Sequence, residues 1–295
     1  MRLPPFELHA PRSLDDALGL LGETGGDTRV VSGGTALLSL MRLGLVRPDR
    51  VVSLHGIPGL DELRAQAGEL TVGAMVTMGQ LERAPEVRRD WPLLAQAAGA
   101  VATPSIRNAA TVGGNLGYAE PASDPAPALL CAEADVVVAG PDGRRTLAIT
   151  DFFTGFYATA LAAGELVVGL RVPRLPAGAR SGYVKYCSRS DEDKPLVGVA
   201  ALVVPGGSPG RLDEVRIGLG GAAPTALRAR GAEARLHGRV VDDAAIREAA
   251  ELAASECEPL SDLMGSADYR REMVRVWVRR LLSGLIDGSS AASSR

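Results

Sequence analysis

The sequence contains few of the residues on which several protein classes depend. Aromatic residues make up only 4% of the 295 positions, and the formal net charge is −3. Nucleic-acid-binding surfaces need a basic patch and aromatic rings on which bases stack, so this composition argues against one. The hydrophobic fraction of 46% and the charged fraction of 23% are typical of a soluble globular protein.

Cysteine and histidine are also scarce, with three of each. Cys131, Cys187 and Cys257 are far apart and odd in number, which indicates reduced thiols in a cytoplasmic protein. There is no Cys-x-x-Cys pair and no histidine spacing typical of metal ligands, so we expect no metal site made by this chain alone. Neither a signal sequence nor an apolar run of membrane-spanning length is present, so we expect no membrane span.

The length predicts two domains. We assign residues 1–175 to the first domain, divided near residue 56 into subdomains 1–56 and 57–175. The first subdomain is predicted to run helix, strand, glycine loop, helix and strand, which is a small α/β layer. Proline and glycine in the run from Pro173 to Gly182 indicate a linker. Residues 180–286 are predicted to form three antiparallel strands followed by helices, and residues 287–295 a disordered tail.

Several shorter segments are assigned from local composition. Leu60 to Leu63 is predicted to be a strand. Pro104 to Asn108 is predicted to be a loop that leads into the glycine-rich stretch from Thr111. Phe152 to Leu161 and Ala226 to Leu236 are predicted to be helices from their apolar content.

The stretch from Thr111 to Asp124 carries a mixture of residues that neither a core strand nor an amphipathic helix needs. It combines three glycines, Asn115, the hydroxyls of Thr111 and Ser123, and the acids Glu120 and Asp124. Glycine permits positive φ and lets a ligand approach bare backbone, and successive N–H groups form an anion site. We therefore predict a phosphate-binding loop. Asp124 either contacts a ribose or adenine group or caps the following helix.

A second glycine-rich stretch, Ser32-Gly33-Gly34-Thr35-Ala36, follows a predicted strand and precedes a predicted helix. It matches neither Gly-x-Gly-x-x-Gly nor the Gly-Lys-Ser/Thr of a P-loop. Taken alone, it is equally well explained as a tight turn between core elements. Taken with the Thr111 stretch, it predicts two loops that hold one phosphate-bearing cofactor between them.

No catalytic group stands out. There is no Gly-x-Ser-x-Gly nucleophile motif and no histidine with an evident partner. Lys185 and Arg189 either contact the far end of the cofactor or lie on a solvated strand face. The acidic run Asp191-Glu192-Asp193 is best explained as a surface loop. If the cofactor is redox-active, it can carry the chemistry itself.

Taken together, these motifs resemble the FAD-binding medium subunit of molybdenum hydroxylases, the family of carbon monoxide dehydrogenase and xanthine dehydrogenase. The resemblance extends from about Pro5 to about Leu285. The matching residues are Ser32 to Leu38, Ile106 to Asn108, Thr111 to Asn115, Pro121 to Asp124, Phe152 to Gly155, Glu165 to Val167, Val172-Pro173, Lys185 to Arg189, Gly220 to Thr225, Arg228 and Tyr269-Arg270.

The resemblance implies an α+β fold, in which two α/β subdomains sandwich FAD (the PCMH-type FAD-binding fold) and a small three-stranded antiparallel sheet with helices follows. It implies that two runs hold the diphosphate: Arg29, Val30, Val31, Ser32, Gly33, Gly34, Thr35 and Ala36, and Thr111, Val112, Gly113, Gly114 and Asn115. It places Asp124 toward the adenosine, Val101 and Val167 near the ring systems, and Lys185 near the flavin.

The chain departs from this resemblance at two places. Ser32 stands where the family usually has Ala, which is a small change. Thr35-Ala36 stands where many members have Thr-Asp or His-Ser. The second change removes one polar side chain from the phosphate contacts, so we expect weaker flavin retention.

The function implied by the resemblance is electron transfer. A molybdenum-cofactor large subunit would oxidise the substrate, a [2Fe-2S] small subunit would pass electrons to FAD in this chain, and the three would form a dimer of heterotrimers. Three alternatives stay open at this point: a nicotinamide-dependent dehydrogenase, a nucleotide-binding scaffold subunit without a redox role, and a self-sufficient flavin oxidase.

Overall fold

A small parallel sheet begins the fold. The computed structural model describes residues 3–23 and 25–288. In this first region the strand order is β1–β3–β2, and both pairings are parallel. Its elements are β1 (Glu7–His9), α1 (Leu14–Gly22), β2 (Thr28–Val31), α2 (Leu37–Arg42) and β3 (Arg50–Ser53). The expected α/β layer is confirmed.

A five-stranded antiparallel sheet with helices forms the second region, in the order β4–β5–β10–β6–β7. Its elements are β4 (Leu63–Gln66), β5 (Glu69–Gly73), α3 (Met78–Arg83), α4 (Pro85–Asp90), α5 (Pro92–Gly99), α6 (Pro104–Arg107), α7 (Val112–Tyr118), α8 (Pro125–Cys131), β6 (Asp135–Gly140), β7 (Gly143–Ala148), α9 (Ile149–Phe152), β8 (Phe153–Gly155), β9 (Ala158–Thr159) and β10 (Leu166–Pro173). One face of the sheet, with Leu70 and Leu170, packs on the helices. The other face, with Leu166 and Val168, packs against the first region.

A second antiparallel sheet with helices forms the C-terminal region. Its elements are β11 (Arg180–Tyr186), β12 (Val197–Pro205), β13 (Arg211–Gly220), β14 (Leu227–Arg228), α10 (Arg230–Leu236), β15 (Arg239–Val240), α11 (Asp243–Ser255) and α12 (Ala267–Asp287). The three long strands β11, β12 and β13 are those expected, and the two-residue strands β14 and β15 pair with β13. The last helices bury Val274, Val278 and Leu282 against this sheet.

Some local predictions are wrong. Leu60 lies in a turn, and the strand begins only at Leu63. Residues 104–107 form a short helix, because the Thr103 side chain accepts a hydrogen bond from the Ile106 N–H and Pro104 occupies the first turn. The helix expected over 226–236 begins only at Arg230, because Leu227–Arg228 pairs with β13.

The helix predicted from Phe152 to Leu161 is also wrong. A helix ends at Phe152, and the chain then forms a two-stranded hairpin with residues 156 and 157 at its tip. Tyr157 at that tip has φ +53°, which is left-handed backbone and incompatible with a continuing helix.

The C-terminal end of the chain differs in part from the prediction of a tail over 287–295. Helix α12 continues through Asp287, and Gly288 ends it with φ +70°. The rest of that predicted tail, residues 289–295, lies outside the described residues. Within residues 3–23 and 25–288, no helix combines the length and apolar character that crossing a bilayer would require.

Helix α8 joins the second region to the C-terminal sheet. Arg216 donates to the Cys131 carbonyl at 2.9 Å and Arg228 donates to the Leu130 carbonyl at 3.3 Å, so two cations meet the C-terminal end of the helix. Strand β13 approaches the helix closely at Gly218, where an added Cβ would lie 2.3 Å from the Pro127 carbonyl oxygen. The interface therefore requires glycine at position 218.

A buried polar cluster ties Asp124 to the C-terminal sheet. The Tyr183 hydroxyl donates to Asp124 Oδ1 at 2.7 Å, and Lys185 Nζ lies 3.4 Å from Asp124 Oδ2. Lys185 also donates to the Ala100 carbonyl at 2.8 Å. Burial raises the pKa of Asp124 to about 6, although Lys185 and Tyr183 oppose the rise. The Asp124 side chain does not cap α8, so that alternative is wrong.

We predict that Gly218→Ala lowers the free energy of unfolding by about 1–3 kcal/mol, because the new methyl group overlaps a backbone carbonyl that cannot move independently. Chemical denaturation measures the change. Gly207→Ala is the matched control, since an added Cβ there meets no atom within 4 Å. Equal stability of the two variants would contradict the close approach of β13 to α8.

We predict a pH-dependent contribution from Asp124. The folded state binds this proton more tightly, so the stabilisation is greatest at low pH and is lost as the pH rises through about 6. From pH 3.8 to about 6, the stability of the wild type relative to Asp124→Asn should fall by about 1.4 kcal/mol per pH unit. Denaturation at stepped pH tests this, with Asp142→Asn on an exposed turn as the control. A flat difference would contradict it.

Candidate cofactor site

A cavity of ≈ 350 Å³ lies between the first and second regions, and both glycine-rich segments border it. The predicted residues that line it are Arg29, Val30, Val31, Ser32, Gly33, Gly34, Thr35, Ala36, Thr111, Gly113, Gly114, Asn115 and Val167. The sequence therefore identified two segments that lie far apart in the chain and meet at one cavity. Its size is in the usual range for small-molecule and cofactor sites.

The two segments approach each other so closely that side chains are excluded. A Cβ added to Gly33 would lie 1.9 Å from the Ala109 carbonyl oxygen, and one added to Gly114 would lie 2.8 Å from Ser32 Oγ. His55 Nε2 donates to the Ser32 carbonyl at 3.1 Å and fixes the first segment from behind. These contacts form the common floor of the cavity.

The second segment is the first turn of helix α7 rather than an open loop, so the expectation of positive φ at its glycines is wrong. Thr111 begins the helix, and its Oγ1 accepts a hydrogen bond from the Gly114 N–H at 3.1 Å. Close packing explains the other glycine, because a Cβ on Gly113 would lie 2.6 Å from Ala74 Cβ. Glycine is necessary at these positions because neighbouring side chains leave no space for a Cβ, and not because the local backbone has positive φ.

The first segment keeps the loop character expected of it. Gly34 has φ +72°, a conformation that favours glycine. Within residues 3–23 and 25–288, the N–H groups of Gly33, Gly34, Thr35 and Ala36 have no protein acceptor. Four neighbouring free donors at a concave surface are suited to an anionic group such as a diphosphate.

The rest of the lining offers apolar surface and few titratable groups. Leu54, Leu161 and Leu166 contribute apolar walls. Glu165 also lines the cavity, but Arg145 holds its carboxylate at 2.6–2.7 Å. Hydrogen bonding to Arg145 lowers the pKa of Glu165 to about 2, so this carboxylate does not exchange protons near neutral pH.

Four predicted residues do not line the cavity. Val112 is buried in the helical core with 3% exposure, and Val101 packs at the edge of that core. Asp124 and Lys185 pair with each other in the cluster already described. Ser123, the residue before Asp124, contacts the cavity lining, because its hydroxyl donates to Asn115 Oδ1 at 2.8 Å.

Several lining residues were not predicted. Gly117 and Tyr118 lie within the predicted Thr111–Asp124 stretch but outside the five residues named for cofactor contact, and they continue helix α7. Leu40 and Val46 belong to α2 and the segment after it, and apolar residues there look like ordinary core. Only the folded chain shows which of these residues face the cavity.

The lining fits a flavin adenine dinucleotide. Free backbone donors are available for the diphosphate, and apolar walls are available for the rings. Gly117 adds room, since an added Cβ there would meet no atom within 4 Å. In the described parts of the chain, no group of three or more His, Cys, Asp or Glu residues is placed to hold a metal ion.

Two consecutive parts of the chain match known protein families. Residues 4–175 match the family described as the FAD binding domain in molybdopterin dehydrogenase. Residues 182–285 match the CO dehydrogenase flavoprotein C-terminal domain. The two matches meet at the predicted linker.

Curated relatives and solved structures agree with these matches. The chain is 37% identical to the carbon monoxide dehydrogenase medium chain of Hydrogenophaga pseudoflava over 95% of this chain and 96% of that protein. It is 35% identical to the nicotine 6-hydroxylase medium subunit of Paenarthrobacter nicotinovorans, over 96% and 98%. The structure of carbon monoxide dehydrogenase from H. pseudoflava superposes with a TM-score of 0.93 at 38% identity, over 97% of this chain and 98% of that one. The chain therefore belongs to the family of FAD-binding subunits of molybdopterin dehydrogenases.

Proposed function

We propose that this chain is the electron-transfer subunit of a molybdenum hydroxylase. In this role it takes electrons from a [2Fe-2S] small subunit and passes them to an external acceptor, while a molybdenum-cofactor large subunit oxidises the substrate. The observation that supports this best is the character of the cavity. Its floor is backbone, and its paired carboxylate Glu165 does not exchange protons near neutral pH.

The residues of the two glycine segments would hold the cofactor. The N–H groups of Gly33 to Ala36 would bind the diphosphate, and Thr111 and Asn115 would border it. Leu54, Leu166 and Val167 would cover apolar ring surface. FAD, when bound, accepts and releases electrons, so the protein has only to bind it, orient it and limit its contact with water.

Asp124, Lys185 and Val101 would act at the far end of the same site. Asp124 and Lys185 are both nearly buried, with side chains 7% and 8% exposed, and they neutralise each other. Because neither side chain borders the cavity, the roles expected for them toward the adenosine and the flavin would be indirect.

The names of the relatives support the proposed partners. The relatives are named medium chains or medium subunits, which implies larger and smaller partners. We propose one molybdenum subunit, one iron–sulfur subunit and this chain, assembled as a dimer of heterotrimers. The three free cysteines agree with a reducing cytoplasm.

Rapid mixing tests the electron-transfer role. The chain would be purified with the subunits encoded beside it and shown to carry about one FAD per chain. Addition of the substrate should reduce the iron–sulfur centres first and bleach the visible flavin band afterwards, and addition of an acceptor should restore it. An iron–sulfur signal that is reduced while the flavin stays oxidised would refute the proposed role.

We predict that Gly117→Ala weakens FAD binding about tenfold, because its methyl group enters the cavity. The same change should not destabilise the fold, since the new Cβ meets no protein atom within 4 Å and alanine favours helix. Fluorescence titration of the FAD-free chain measures the binding.

Gly19→Ala is the matched control for this variant. Gly19 lies in helix α1 and also has no atom within 4 Å of an added Cβ, but it does not line the cavity. Both variants should unfold at or above the wild-type temperature, and only Gly117→Ala should lose FAD affinity. Unchanged affinity in Gly117→Ala would place the cofactor elsewhere.

A further inference from the structure

Four side chains from three separate segments meet beside the cavity, and we call Tyr118, Glu120, Tyr157 and Lys194 the mouth cluster. Tyr118 lines the cavity and ends helix α7. Tyr157 comes from the tip of the β8–β9 hairpin, and Lys194 comes from the segment between β11 and β12 of the C-terminal region. The cluster therefore connects the second region to the C-terminal region at the cavity wall.

Glu120 is the centre of the cluster. Its side chain is only 12% exposed, and its Oε2 accepts a hydrogen bond from the Tyr157 hydroxyl at 2.7 Å. The Lys194 ammonium group donates to the same oxygen. Lys194 Nζ also lies over the ring of Tyr118, 5.8 Å from its centroid. One carboxylate thus holds groups from two other segments against the cavity wall.

Tyr157 occupies a conformation that a tyrosine rarely adopts. Its φ of +53° is left-handed, a backbone conformation that is unfavourable for a residue other than glycine. Its ring packs on Tyr118, with the ring centroids 5.1 Å apart, and it remains 40% exposed. Glycine would fit the backbone at this hairpin position better. The presence of tyrosine therefore points to a role for its side chain.

The hydroxyl of Tyr157 stays protonated and keeps donating across the neutral range. Burial raises its pKa above the ordinary value of a tyrosine, and the hydrogen bond to Glu120 raises it further. The Tyr157 hydroxyl therefore remains a hydrogen-bond donor to Glu120 across the neutral range.

We infer that Tyr157 is a positioning residue that holds Tyr118 in place and thereby closes the mouth of the cofactor cavity. The inference rests on the proposed FAD site. With the mouth cluster formed, Tyr118 limits both the escape of the cofactor and the entry of solvent. Lys194 also contacts Glu120, and this contact links the C-terminal region to the mouth cluster.

Tyr157→Gly separates this role from a purely structural one. The substitution relieves the left-handed strain and removes the ring and hydroxyl together. We expect the full chain without FAD to unfold at an equal or higher temperature, and the chain loaded with FAD to release it about tenfold faster. The release rate is read from the recovery of flavin fluorescence after dilution, and the unfolding temperature from circular dichroism.

Two further variants provide the controls. Ala67→Gly also relieves left-handed backbone, at φ +50°, but in the β4–β5 turn and away from the cavity. It should match Tyr157→Gly in thermal stability and match the wild type in FAD release. Tyr157→Phe keeps the ring over Tyr118 and removes only the hydroxyl, so its release rate should lie between those of the wild type and Tyr157→Gly.

The outcomes are distinguishable. If the wild type holds FAD and Tyr157→Gly releases it at the wild-type rate, the mouth cluster has no closing role, although the proposed function stands. If the wild type never holds FAD, the proposed site and the closing role are both refuted. Faster release only in variants that also unfold at a lower temperature would reduce Tyr157 to a structural residue.

Discussion

The approach of the two glycine segments is the constraint on which the rest of the structure depends. Gly33 lies against the Ala109 carbonyl and Gly114 lies against Ser32 Oγ, with no space for a Cβ at either contact. Each segment is held by its own sheet, the first after β2 and the second beside the end of β5. The two segments can approach this closely because both carry glycine there, and a side chain at either glycine would separate the two regions.

A cavity floor made of backbone determines what the site can do. Peptide N–H groups carry fixed partial charges and do not titrate, so they bind an anion equally well across the neutral pH range. The carboxylate among the cavity-lining residues, Glu165, is held ionised by Arg145. The chemistry therefore belongs to the bound group, and the protein contributes position and shielding.

The sequence predicted the composition of the site better than its geometry. Clusters of glycine, hydroxyl and carboxamide indicated the two segments, because no core element needs that mixture. The conformation at Gly113 and Gly114 was predicted wrongly, since the atoms that demand glycine belong to Ala74 and Ser32, which are remote in sequence. The hairpin at Tyr157 was missed for a related reason. Its strained backbone is fixed by Glu120 across the fold, whereas local composition favours a helix there.

The segment that follows helix α7 also governs how the C-terminal region is attached. Within five residues, it supplies Glu120 to Lys194 and Asp124 to Lys185, and both lysines belong to the C-terminal region. The two pairs differ in burial. Asp124 and Lys185 are hidden from water, whereas Lys194 is 62% exposed. Solvent and salt weaken an exposed pair far more than a buried one. The Asp124 pair is therefore shielded from salt, and the Glu120 pair is the contact between the two regions that solvent and salt weaken more.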